Sequence, residues 1–124
     1  GAADFCKWVE DVLVDVINMT REKMEKYYDE HVTDTMCKNE LYKKYYMDTI
    51  IEDTSAVTGL ELISRIVGMA NEKDITSIED EAKRARAEKI CITAAVDFIK
   101  NRGDKKCGKC FLGTLKDAIA EVDA

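Results

Sequence analysis

Residues 90–110 read ICITAAVDFIKNRGDKKCGKC. In the first half, Cys91, Ala94, Ala95 and Phe98 fall on one strip and Ile92, Val96 and Ile99 on the next. That is the spacing of a helix buried over a wide face. Lys100 and Arg102 suit the negative end of this helix, and Gly103 is placed to close it with a left-handed turn. After the basic loop 104–106, Cys107 and Cys110 open a further helix whose inward side carries Phe111, Leu115, Ala118, Ile119 and Val122. The stretch therefore sets the fold class as all-α. It also raises the covalent question, because it holds three of the five cysteines.

Working upstream, Thr76 followed by Glu79 fits a capping box and predicts the start of that same helix. Its first half is charged nearly all round, with Ile78, Ala82 and Ala85 on the inward stripe, and is expected on the surface. Asn71, Glu72, Lys73 and Asp74 read as a surface loop. Before them, Ala56, Leu60, Ile63, Val67 and Ala70 repeat at three-and-four spacing, flanked by Leu62, Ile66 and Met69, which predicts a helix over 56–71 in the middle of a bundle. Gly59 and Gly68 in that run are read as permitting a close helix crossing. Thr54 and Ser55 offer a cap between it and a helix over about 35–52, which carries Cys37, Leu41 and Tyr45 on one stripe. A break at 31–34, with Asp34 as helix start, separates this from a first helix over 4–31. There Phe5, Val9, Val12, Val16 and Met24, with Leu13 and Ile17 beside them, form the inward side, and Cys6 points the same way. The expectation is one domain over 1–124, a compact bundle of about five helices stabilised by disulfides.

A chain of 124 residues can bury one real core. Its net charge of −6 offers no basic surplus for phosphates, so nucleic acid is not expected as a partner. No apolar run approaches the roughly 18 residues of a spanning helix. Five cysteines, two of them as C-x-x-C, point to a disulfide framework and hence to a secreted, extracellular protein. Asn18-Met19-Thr20 is a glycosylation acceptor pattern on the polar side of the first helix. Cys6, Cys37, Cys91, Cys107 and Cys110 allow many pairings. Helix faces favour Cys37 with Cys91 and Cys6 with Cys107 or Cys110, the odd cysteine being free or linking two chains.

Cys107-Gly108-Lys109-Cys110 at a helix start is where a redox dithiol would sit, since the helix dipole and nearby lysines favour a thiolate. It resembles the active-site motif of thioredoxin-like oxidoreductases, with Val96-Asp97-Phe98 upstream similar to the preceding strand. That family, however, uses a sheet and a proline facing the dithiol, and this chain has no proline. Zinc would need a second pair of ligands, which spacing does not supply, and His31 stands alone, so no metal, cofactor or catalytic group is assigned. Tyr27, Tyr28, Tyr42, Tyr45 and Tyr46 flank the first turn and are candidates to line a pocket for an apolar ligand with a polar end. Cys6-Lys7-Trp8-Val9, Cys37 and Cys107-x-x-Cys110 resemble the half-motifs of saposin-like proteins in swapped order, which implies interaction with membrane lipids. The leading expectation is a non-catalytic secreted carrier of an apolar small molecule or lipid. The alternatives are a protein-recognition module such as a secreted effector or receptor-binding domain, a saposin-like lipid binder, and a dithiol oxidoreductase using Cys107 and Cys110.

Overall fold

The computed structural model describes residues 1–69 and 73–124. The expectations for Ala70 on an apolar stripe and for Asn71 and Glu72 in a loop lie outside the described residues. Among those described, the chain forms five α-helices and no strand: α1 (Ala2–His31), α2 (Glu40–Val67), the single turn α3 (Lys73–Thr76), α4 (Glu81–Lys100) and α5 (Gly108–Asp123), with a 3-10 turn at Arg102–Asp104. The all-α expectation holds. Disulfide stabilisation does not: none of the five cysteines is bonded to another.

The largest departure is α2, one 28-residue helix where two were expected. Thr54 and Ser55, read as a cap, turn their hydroxyls elsewhere. Thr54 Oγ1 donates to the Ile50 carbonyl one turn back, at 2.8 Å, which leaves the helix intact. Ser55 Oγ donates across the core to the Phe98 carbonyl at 2.8 Å. Phe98 lies in the last turn of α4, whose carbonyls have no partner within their own helix, so the serine satisfies a buried acceptor that would otherwise cost about 1–3 kcal/mol.

The true helix start falls at Asn39, whose side chain accepts from Leu41 and Tyr42 backbone N–H groups at 2.8 and 3.3 Å. Residues 35–38, including Cys37, form a turn held by Asp34, which accepts from Met36 N–H at 2.8 Å. The Thr76–Glu79 capping box likewise gives way. Asp80 caps α4 by accepting from Lys83 N–H at 3.1 Å, while Lys73 to Thr76 coil into α3 instead of a loop.

The buried line of α2 is Met47, Ile51, Ser55 and Gly59, each four residues from the last. It packs on Ala94, Ala95 and Phe98 of α4, all three buried. Gly59 is required there: a Cβ would stand 2.6 Å from the Ala95 carbonyl oxygen and 2.7 Å from Ile99 Cγ1. Gly68 does not serve a crossing but closes α2, its N–H bonded to the Ser64 carbonyl at 2.9 Å. Gly103 adopts no left-handed turn; α4 ends at Asn101 and runs on into the 3-10 turn. With small residues at the crossing, the larger ones are turned out: Leu60 is 59% and Val67 71% exposed, against the expectation that they face the core.

Phe98 and Phe111 centre the core, their rings 5.3 Å apart and tilted by 43°. This brings α5 onto α4, with Ile51, Ala94 and Ala118 filling around them and Ile17, Leu62, Ile90 and Leu115 at the edge. Gly108 at the start of α5 lies directly on the α1 backbone, where a Cβ would strike Val14. Leu13 and Val14 of α1 are half-buried, but much of its apolar side faces outward, against the expectation of an inward stripe: Phe5 is 64%, Trp8 61% and Val16 55% exposed, and Cys6 is exposed with them.

The loop between α4 and α5 is tied down by Asp97, which accepts from Asn101 Nδ2 and Lys105 Nζ at 2.6 Å each and from Thr114 Oγ1 at 2.7 Å. Burial works against its charge, but these three donors prevail and hold the carboxyl at about 2.

Replacing Gly59 with Ala is expected to lower stability by about 1–3 kcal/mol, since the backbone of α4 must give way. Gly103→Ala, with nothing within 4 Å of the new methyl, should be near neutral in the same denaturant titration. Because the folded carboxyl of Asp97 lies below its ordinary value of 3.8, the stabilisation it supplies is present above pH 3.8 and is lost as pH falls towards 2. Asp97→Asn should therefore flatten the acid limb of the stability profile in that window, measured by thermal melts from pH 6 down to about 2.

Candidate functional site

The C-terminal end of α1 and the N-terminal end of α2 enclose an open groove of about 730 Å³, lined by Met24, Tyr27, Tyr28, Val32, Tyr42 and Met47 among others. α1 runs on to His31, so Tyr27 and Tyr28 in its last turns both reach the groove. The Asn39 cap fixes the register that sends Tyr42 and Tyr46 back towards them. Tyr28 and Tyr46 meet at 5.9 Å between ring centroids, and Tyr42 stacks over Tyr46 at 6.4 Å with planes within 6°. Four of the five tyrosines singled out in the sequence thus line one groove. Tyr45 does not; it is 65% exposed and touches only the edge of the cluster through Tyr42.

Polar groups in the groove are few and mostly engaged. Tyr28 Oη donates to the Cys37 carbonyl at 2.6 Å. His31 stacks on Tyr27 at 3.9 Å, and its Nδ1 lies 2.9 Å from the Tyr27 carbonyl. Burial first, and then Cys37 and the neighbouring phenols, push the Tyr28 hydroxyl up; for Tyr42, Cys37 acts first and burial second. Both phenols therefore stay neutral donors at physiological pH. Lys23 stands at the rim as a cation. The arrangement suits an apolar body with an acceptor or anionic end. Outside the groove, salt bridges from Lys43 to Asp29 and from Arg21 to Asp48, both 2.8 Å, hold α1 and α2 together.

The cysteines predicted to staple the bundle are dispersed. Cys6 is exposed, Cys37 sits in the turn by the groove, and Cys91 is half-buried in α4, its thiol pushed up by burial and by Asp74. Cys107 and Cys110 meet at 3.2 Å between sulfurs, a thiol–thiol hydrogen bond well beyond the roughly 2.05 Å of a covalent bridge. None of the five cysteines is joined in the pairings expected from helix faces, Cys37 with Cys91 and Cys6 with Cys107 or Cys110. Asn18 is not a free polar group on α1: its Oδ1 accepts from Gly108 N–H at 2.8 Å and so caps α5. No cluster of three or more His, Cys, Asp or Glu at metal-binding distance occurs among the described residues.

One motif escaped the reading by periodicity. Gly103 to Lys109, GDKKCGK, matches the glycine and lysine spacing of a phosphate-binding loop, with Cys110 where a hydroxyl residue would follow. The structure argues against that use. The loop follows helix α4 rather than a strand, the Gly108 N–H is taken by Asn18, and Lys105 and Lys106 are paired with Asp97 and Glu52. Gly108 N–H, Lys105 and Lys106, which would help cradle a phosphate, are thus held by internal partners.

No family model matches the chain, and no solved structure does. Curated proteins do. Over 110 residues the chain is 27% identical to methylthioribose kinase 1 of Oryza sativa subsp. japonica, covering 77% of this chain and 25% of that protein. The methylthioribose kinase of Escherichia coli is 24% identical over 109 residues, covering 80% and 26% of the respective chains. That of Bacillus pumilus is 26% identical over 90 residues, covering 73% and 23%. The chain spans about a quarter of the length of these curated relatives, methylthioribose kinases from a plant and from bacteria.

Proposed function

We propose that this chain is a helical subdomain of the kind found in methylthioribose kinases, shaping and supporting a phosphotransfer site whose reacting groups lie on other protein segments. The observation that carries the reading is the likeness to such kinases over roughly three-quarters of the chain, found alike in plant and bacterial proteins. Two features support it. The loop with phosphate-binding spacing has Gly108 N–H, Lys105 and Lys106 committed to internal bonds. The apolar stripe Phe5, Trp8, Val9, Val12 and Val16 on α1 is 38–64% exposed, as is fitting for a subdomain that seats on further protein. Protein bearing this chain, supplied with ATP, should release ADP in a manner that depends on methylthioribose. Release indifferent to methylthioribose, with active enzyme verified by binding of ATP, would sink the reading.

A second reading rests on a separate observation, the tyrosine groove between α1 and α2. It is the right size and polarity to hold an amphiphile, with Met24, Val32 and Met47 against the chain and Lys23 near the head group. A medium-chain fatty acid is expected to displace an environment-sensitive dye from the groove. Met24→Glu should weaken that displacement about tenfold, or about 1.4 kcal/mol. Val57→Glu, on the opposite reach of α2, should leave it unchanged. Equal affinity in both variants, with helical content intact by circular dichroism, would remove the groove from consideration.

A further inference from the structure

The pair Cys107 and Cys110 is not used by either reading above, and its geometry is specific. The two sulfurs are in contact at 3.2 Å, both residues are partly exposed, and the segment between them is the first turn of α5. The turn is anchored on three sides: Gly108 N–H to Asn18, Lys105 to Asp97, and Lys106 to Glu52. Cys110 Sγ also faces the backbone N–H groups of Lys106 and Cys107. Among the described residues, the other three cysteines, Cys6, Cys37 and Cys91, are free as well.

We propose that Cys107 and Cys110 form a thiol–disulfide exchange site that takes a small peptide disulfide of the oxidised-glutathione class, with Cys110 attacking first and Cys107 resolving. The Cys110 thiolate attacks one sulfur of the small disulfide, forming a mixed disulfide and expelling one peptide thiolate, which takes up a proton. Cys107, once deprotonated, attacks Sγ of Cys110, forming the intramolecular bridge and releasing the second peptide thiol. Two protein thiols are oxidised by two electrons and one small disulfide is reduced to two thiols. The bridge needs the sulfurs to close by roughly 1 Å, within the reach of side-chain rotation. The hydrogen bond from Cys107, which outweighs burial, together with the two backbone N–H groups and the charge of Lys105, holds the Cys110 thiol below its ordinary range and so favours Cys110 as the attacking sulfur. This proposal is independent of the kinase likeness and of the groove.

The test is anaerobic incubation of the reduced chain with oxidised glutathione, followed by acid quenching and peptide mass mapping. Wild-type protein should yield a Cys107–Cys110 bridge, whereas exposed Cys6 stops at a glutathione adduct. Cys107→Ser, which places a hydroxyl favoured at helix starts at the N-cap of α5 and should fold, is expected to accumulate the adduct on Cys110. Cys110→Ser should leave Cys107 reacting on the order of tenfold more slowly. Free thiols at 107 and 110 under conditions that fully modify Cys6 would overturn the proposal. So would a Cys107→Ser protein of native helical content with no adduct on Cys110.

Discussion

The close crossing of α2 and α4 governs the rest of the molecule. Ser55 and Gly59 on one side and Ala94 and Ala95 on the other let two backbones approach until the Ala95 carbonyl leaves no room for a methyl on Gly59. At that distance a serine hydroxyl can reach the Phe98 carbonyl, and the last turn of α4 is satisfied inside the core instead of by water. Phe98 is thereby fixed against Phe111, and α5 follows. The aliphatic content of the core is modest, so its definition comes from proximity and one buried hydrogen bond more than from bulk.

The first helix is held differently. It contributes Ile17 to the edge of the core, packs its backbone at Val14 against Gly108, and is further secured by directed polar links: Arg21 to Asp48, Lys43 to Asp29, and Asn18 to the first N–H of α5. Such links position a helix without consuming its apolar face. The consequence is visible at both ends. Towards its N-terminus, α1 presents Phe5, Trp8 and Val9 outward; towards its C-terminus, contact with α2 is made through tyrosine rings that leave a groove between them.

These exposed surfaces bear on function. An apolar stripe on α1 and another on α2, at Val57, Leu60 and Val67, are more than a chain of this size usually leaves to water. They agree with a likeness that extends over most of this chain but only a quarter of the kinases it matches. The groove lies between α1 and α2 and the dithiol at the start of α5, with no lining residue in common, so each can be probed by its own substitutions.

What the residues determined unaided was the helical class, the buried half of α4, the inward face of α5 around Phe111 and Ala118, the clustering of tyrosines beside the first turn, and Gly59 as a point of close approach. These follow from spacing along the chain, which local geometry translates directly into a face. Tertiary structure alone decided which face of α2 was buried, whether Thr54 and Ser55 began a helix or served one already formed, and whether the cysteines met. The reason is common to all three. Serine and glycine carry little hydropathy yet permit the closest contact, so a buried line that runs through Ser55 and Gly59 does not stand out by apolar spacing. A hydroxyl caps or does not according to whether a remote carbonyl lacks a donor. Two thiols pair according to the distance between helices, which no spacing within a helix records.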